Sequence, residues 1–554
     1  ERSRQCVAVG LTKSESLKLQ RQIAECSCEF PSMKFAILAS TNFDFLKPAL
    51  VVSSFADRIA LDVHVAAYNQ IDQEVLLDNS ALAKFGTDMC LLYARAEDIV
   101  PAILDDLTSK PEAYVADLID AVVARYTSWF EKLNQAGTEV VCFGFVRPAF
   151  SHSPTRDFAH DQGQCAVWSR LNNALVLTAA QYSNVTMIDL EAVVRRVGWS
   201  NWFDPKLWSL AKIAGGASCV AEIIDEFMPL IRERAGRRRK CLVLDLDNTM
   251  WGGIIGEDGV ENVKLGGDYP GDIYRTVQNM VCRLRDQGVL LALNSKNNEP
   301  DAKEMFDTHP DMLLAWDDVT IHKVNWNPKS ENLKDIAASL NVGMDSLVFL
   351  DDNPVEIEQV KSALPEVTAI QVPADLSKYP DVFARLARLF DGKTISDEDT
   401  KRARMYKENQ QREELHQTAS TMEDFWSSLA MKATIEAINA TNKQRTLQLL
   451  TKTNQFNVTT KRHDDSVISS IQESDDWLSY IVRLSDRFGD NGIVMVVLVD
   501  CGKEDGIAEI DTFLMSCRVI GRTLEQKIIS TIAADLRERG ISKLHASYVR
   551  TRKN

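Results

Sequence analysis

CLVLDLDNTMWGG (241–253) runs apolar, then stops at two aspartates one residue apart, Asp245 and Asp247, with Thr249 close behind. Further on, GVLLALNS ends at Asn294 and Ser295, NWNPKSENL carries Lys329 at the start of a helical pattern, and SLVFLDDN ends at Asp351 and Asp352. A parallel sheet gathers functional groups at the carboxyl ends of its strands, where loops form a crevice. Carboxylates forced together there repel and desolvate one another unless a cation neutralises them. A hard divalent ion among Asp245, Asp247, Asp351 and Asp352 is therefore implied, and Mg2+ suits an oxygen-only set that keeps some waters. The cysteines and histidines are not placed to offer zinc a softer shell.

With a cation present, the two aspartates of the first strand can divide the work. Residues i and i+2 share a face in a regular pleat, but a turn at the strand end splays them. Asp245 is the candidate nucleophile on phosphorus, forming an aspartyl phosphate; Asp247 is the candidate acid for the leaving oxygen and then the base for water. Thr249 and Ser295 are placed to hydrogen-bond phosphoryl oxygens, and Lys329 to balance charge in the transition state. Trp251, Gly252, Gly253, Asn294 and Lys296, on the adjoining loops, are further candidates for touching the substrate. Taken singly, each piece has a plainer explanation. A DxD arises by chance, Ser295 caps a strand, Lys329 sits on an exposed helix, and Asp351 and Asp352 form an ordinary turn before Pro354. Their joint order, each at the end of an apolar run or at a helix start, argues against coincidence.

The elements that must position these residues are α/β. At 554 residues the chain is too long for one core. Five short apolar runs within 35–190 suggest a first doubly wound α/β domain over 1–235. RERAGRRRK (232–240), with six basic residues, reads as a linker. Four strands, at 241–247, 288–295, 346–353 and 367–372, make a second parallel sheet over 236–395. A charge-rich helical connector follows over 396–430, and 431–554 mixes strands with helices near 441–453 and 523–539 in an α+β pattern. The net charge of −16 argues against a general affinity for nucleic acid. The chain has no apolar run of about 18 residues, so no membrane span is expected. Eleven scattered cysteines fit buried thiols of a reducing cytoplasm. The chain starts at Glu1 rather than Met and stops at Asn554, so a piece of something longer is expected.

The order DxDxT, Ser, Lys, DD resembles the haloacid dehalogenase superfamily. DLDNTMWGGIIGEDG (245–259), SKNNE (295–299), NWNPKSENL (325–333) and VFLDDNP (348–354) closely resemble its FkbH-like subfamily, as do KTNQFNVTTKR (452–462), DRFGDNGIV (486–494) and SCRVIGR (516–522). The resemblance covers roughly 235–554. It implies a Mg2+ enzyme that takes the three-carbon group of 1,3-bisphosphoglycerate, removes phosphate and delivers a D-glyceryl thioester to the phosphopantetheine arm of an acyl carrier protein for polyketide synthesis. Relatives often carry Cys just before the motif Ser, a site for a glyceryl-enzyme intermediate, where this chain has Asn294. Either the carrier thiol attacks directly, another cysteine serves, the residue was changed deliberately, or the substrate differs. Cys282 lies mid-helix on an apolar stripe.

The last domain resembles the GNAT acyltransferases, whose phosphate-binding turn corresponds to RVIGRT here, with Arg518 and Gly521 matching and Thr523 replacing the usual small residue. The resemblance implies a surface that receives the pantetheine arm, with a purely structural role as the alternative. The first domain is similar to the SGNH hydrolases in layout. It lacks their Gly-Asp-Ser turn, offering Ser40, Thr41 and Asn42, and Trp208 follows Asp204 where a histidine would stand. That favours a binding or scaffold role. The basic 232–240 stretch has a second reading, as a landing site for an acidic carrier protein. Two rival functions stay open: a plain small-molecule phosphatase, and a degenerate module that binds a carrier without turnover.

Overall fold

The computed structural model describes residues 13–26, 30–151, 153–216, 219–340, 342–393, 408, 412, 415, 421–452, 456–461, 463, 465–504, 506–516 and 519–549. The chain divides into two compact units, Glu1–Arg239 with Ala384–Thr394, and Lys240–Phe383 with Ile395–Asn554.

In the first unit the apolar runs form β1 (Ser32–Ala39), β2 (Ala60–Val65), β3 (Met89–Tyr93), β4 (Glu139–Phe143) and β5 (Val185–Ile188). They pair in parallel in the order β2-β1-β3-β4-β5. Alternation along each strand feeds two cores. Ala36, Leu38, Cys90 and Cys142 pack with the helices Glu112–Gln135 and Gln164–Ala179, while Phe35, Ile37, Leu91 and Phe143 pack with Leu46–Ala56 and Val220–Arg234. A strand with helices on both faces must be apolar on both, which is why β3 does not alternate in polarity, whereas β2, at the edge, carries an exposed Asp62.

The basic stretch 232–240 is not a solvated linker. Arg232 lies in the last turn of the helix Val220–Arg234, and it and Arg239 are buried. Arg232 Nε donates to Asp57 Oδ2 at 2.7 Å and Arg239 Nη2 to Asp57 Oδ1 at 3.1 Å. Asp57 gathers two guanidinium groups from far along the chain, so charge here is part of the packing. Removing one partner of such a group costs about 3–5 kcal/mol.

In the second unit a parallel sheet holds β6 (Cys241–Leu244), β7 (Leu290–Ser295), β8 (Ile321–Val324), β9 (Leu347–Asp351) and β10 (Thr368–Gln371), in the order β10-β9-β6-β7-β8. Four strands are legible as apolar runs. The fifth, β8, is an edge strand that includes His322 and Lys323 and is buried only at Val324, so it lacks that signal.

The same unit carries a mixed sheet of β11 (Lys432–Glu436), β12 (Trp477–Asp486), β13 (Gly489–Glu504), β14 (Ile507–Met515) and β15 (Lys543–Ala546), in that order. Its strands are antiparallel except β15, which runs parallel to β14. The helix Leu524–Glu538 buries Leu524, Ile528, Ile532 and Leu536. This is the α+β layout expected for 431–554. β15 pairs only with Ile507–Ile510. Farther along β14, Val458 N–H donates to Phe513 O and Met515 N–H to Phe456 O, so the chain's own segment occupies the edge that β15 leaves. The expected connector over 396–430 lies largely outside the described residues, except for the helix Met422–Leu429. Among the described residues no helix is long and apolar enough to cross a membrane.

Candidate active site

Chain order in the second sheet reverses between β6 and β9, because β7 and β8 lie to one side of β6 and β9 and β10 to the other. Loops leaving the carboxyl ends of two such strands diverge and open a crevice. Asp245 directly follows β6, and its N–H donates to Leu350 O of β9 at 3.0 Å. Asp351 is the last residue of β9. Strand pairing itself therefore sets Asp245 beside Asp351. Carboxylate oxygens of Asp245, Asp351 and Asp352 lie within 4.8 Å of one another.

Lys329 opens the helix Lys329–Ser339 and is only 5% exposed. Its Nζ lies 2.9 Å from Asp245 Oδ1 and also donates to Asp351 Oδ2. Burial alone would lower the Lys329 ammonium, but Asp245 and Asp351 hold it above the ordinary lysine value. Burial pushes the Asp351 and Asp352 carboxyls up, as does the neighbouring Asp245 charge, while Lys329 pulls them down. One ammonium against three carboxylates leaves a deficit of two positive charges where water is largely excluded. That deficit, met by oxygen donors alone, fits a hard divalent cation.

Asp247 faces a different set of partners. Its Oδ1 accepts from Trp251 Nε1 and from the Ile255 N–H, both at 3.0 Å, and its Oδ2 accepts from Asn297 Nδ2 at 2.8 Å. Its side chain is thus outside the trio of converging carboxylates. Burial raises its carboxyl above the usual range, against the pull of those donors. Trp251 is fully buried, so its indole orients Asp247. The loop that returns it needs its glycines. Gly253 has φ of 105°, and a Cβ there would come within 2.6 Å of Asp258 Oδ2; one on Gly252 would meet Tyr274 at 3.0 Å.

Thr249 is fully buried and its Oγ1 has no hydrogen-bond partner among the described residues. An orphaned hydroxyl beside the carboxylate loop suits a phosphoryl oxygen. Ser295, at the end of β7, lies 3.5 Å from Asn297 Nδ2. Asn294 is fully buried: its Nδ2 donates to Lys329 O and its Oδ1 accepts from Asn332 Nδ2, both at 3.0 Å. It braces the start of the lysine helix. Lys296 Nζ pairs with Glu356 at 2.5 Å. Gly521, with φ of 78°, precedes the helix Leu524–Glu538 and is not part of this cluster, and Arg518 lies outside the described residues. Asn297 and Asn332 are functional supports that sequence reasoning missed. Asn297 sits two residues after Ser295, and Asn332 one helical turn after Lys329, spacings that place each beside a candidate.

Residues 34–231 match the family described as FkbH, N-terminal domain. No curated protein matches the chain. The N-terminal part of the protein BF1531 from Bacteroides fragilis, whose structure contains a phosphatase domain complexed with Mg, is 27% identical, with a TM-score of 0.62 over 70% of this chain and 100% of that one. The ribosomal-protein-S18-alanine N-acetyltransferase from Escherichia coli is 11% identical, over 21% of this chain and 66% of that one, at a TM-score of 0.17 that carries no argument. The chain is thus similar to the FkbH N-terminal family over its first sheet, and to a Mg-bound phosphatase domain over a stretch that includes the clustered acids of DxDxT, Lys and DD at the break of the second.

Proposed function

We propose that the chain is a Mg2+-dependent phosphatase and acyl transferase that dephosphorylates 1,3-bisphosphoglycerate and loads a D-glyceryl, or related three-carbon, group onto the phosphopantetheine thiol of an acyl carrier protein. The observation that carries the phosphatase half is the meeting of Asp245, Asp351 and Asp352 at one strand break, with Lys329 paired to the first two. Mg2+ bound by Asp245, Asp351 and Asp352 would offset phosphate charge. Asp245 Oδ attacks phosphorus, and the P–O bond to the leaving oxygen breaks as Asp247 delivers its proton. Water, deprotonated by Asp247, then cleaves the aspartyl phosphate and restores both residues. Lys329 and the Thr249 hydroxyl hold phosphoryl oxygens throughout. The Mg-bound phosphatase domain of the Bacteroides protein supports this half.

The acyl half rests on the resemblance of the motifs. Asn294 is buried and committed to Asn332 and Lys329, so no enzyme thiol acts from that position. Cys241 stands at the amino end of β6, away from Asp245, and burial raises its thiol. In this reading the carrier's own thiolate attacks the acyl carbon directly; the C–S bond forms as the acyl C–O bond breaks and phosphate leaves with the electron pair. The same commitment of Asn294 favours a second reading, a phosphatase without acyl transfer.

Intact-mass measurement of a holo carrier protein after incubation with the enzyme, Mg2+ and 1,3-bisphosphoglycerate separates the readings. A glyceryl mass gain supports the full proposal, and phosphate release without gain leaves only the phosphatase. Neither would mean a module that binds a carrier without turnover.

A further inference from the structure

The first sheet has its own break in chain order, between β1 and β3, since β2 lies on one side of β1 and β3 to β5 on the other. Ser40 and Thr41 leave the carboxyl end of β1, and Arg95 follows β3. Backbone and side chains knit these ends together: Ser40 N–H donates to Tyr93 O at 2.9 Å, and Arg95 N–H donates to Ser40 Oγ at 2.9 Å. A third segment closes over them. The Arg95 guanidinium stacks on the Trp208 ring at 4.0 Å, Lys212 Nζ lies 5.2 Å from the same ring, and Lys212 O accepts from the Asn42 N–H at 2.8 Å.

Within this crevice the acids are spent and the donors are not. Asp98 Oδ2 accepts from Ser40 Oγ at 2.7 Å, and Glu97 accepts Arg95 Nε at 2.8 Å as well as its Nη2. Arg95 Nη1 is buried with no acceptor among the described residues. Thr41, 2% exposed, has an Oγ1 likewise without a partner. A buried guanidinium nitrogen left unmet is costly, and structures retain such a group where something supplies the acceptor. Unmet N–H and O–H groups, with an ammonium against the same ring, call for oxygen lone pairs carrying negative charge.

We infer that the break between β1 and β3 is a binding site for a small oxyanion, a phosphate or carboxylate group, held by Arg95 Nη1 and the Thr41 hydroxyl with Lys212 beside them. It is independent of the phosphoryl chemistry proposed for the second sheet and stands or falls separately. No hydrolysis is assigned to it: Ser40 already donates to Asp98 and accepts from the backbone, and no base is needed for binding.

The test is calorimetric titration of the full chain with inorganic phosphate, and separately with acetate, in chelator so that divalent cations do not recruit phosphate to the acidic cluster. The expected result is one saturable site per chain for at least one of the two anions, weakened about tenfold or more in Arg95→Gln, as loss of a charge-assisted hydrogen bond implies, and unchanged in Ser295→Ala. Preference between phosphate and acetate then names the group. Thr41→Val reads the same site should Arg95→Gln fail to fold, judged by its circular dichroism and cooperative thermal unfolding. The inference is overturned if neither anion binds at millimolar concentration, so that water alone meets the donors, or if both variants bind as the native chain does.

Discussion

Two parallel sheets in this chain break their strand order in the same way, and the residues at the two breaks are opposite in electrical demand. Between β6 and β9, three carboxylates converge, one ammonium pairs with two of them, and positive charge is lacking. Between β1 and β3, Arg95 and Lys212 face Glu97 and Asp98, the acids are already hydrogen-bonded, and donors are left over. Backbone topology supplies a crevice in both places, but the side chains at the strand ends decide what enters. The fold alone therefore says little about chemistry, and each break has to be read from its own charges.

The sharpest way to break this contrast is to exchange a key residue at each site. Asp245→Asn should lower Mg2+-dependent phosphate release on the order of a thousandfold or more, whereas Arg95→Gln should leave it unchanged. Equal losses in a steady-state phosphate assay would mean that the two breaks do not act separately. Next comes stability. Lys329→Met, by leaving Asp245 and Asp351 buried without their ammonium, should cost about 3–5 kcal/mol in denaturant unfolding in chelator, much of it recovered on adding Mg2+. Arg232→Met, which strips one of two guanidinium partners from Asp57, should cost a similar amount that Mg2+ does not restore. Recovery of both variants by Mg2+ would remove the distinction between a cation-seeking cluster and a self-neutralised one. Asn332→Ala, which frees Asn294 and the start of the lysine helix, should cost about 1–3 kcal/mol in the same unfolding experiment. A neutral result there would show that the asparagine brace is idle.

Much of this was legible in the sequence where burial forces a pattern. Strands covered on both faces must be apolar throughout, so central strands such as β3, β6 and β7 stand out, and acids ending such strands have few reasons to be there. β8 escaped because an edge strand tolerates His322 and Lys323. The basic stretch was misread because the linear sequence cannot show that Asp57, some 175 positions away, neutralises Arg232. Likewise nothing local marks Asn294 as a brace: its character depends on Asn332, 38 residues on. Pairing of 456–458 with the end of β14 is equally non-local. Within the site, the proximity of Asp245, Asp351, Asp352 and Lys329 followed from strand order, whereas the turning of Asp247 toward Trp251, Ile255 and Asn297 needed coordinates.

The most direct measurement of the central claim is anomalous diffraction from crystals soaked in Mn2+ as a stand-in for Mg2+. The expected result is one strong peak within about 2.0–2.3 Å of oxygens from Asp245 and from Asp351 or Asp352, absent in crystals of Asp351→Asn. A cluster that stays free of metal at millimolar Mn2+, or a peak elsewhere in the chain, would contradict it.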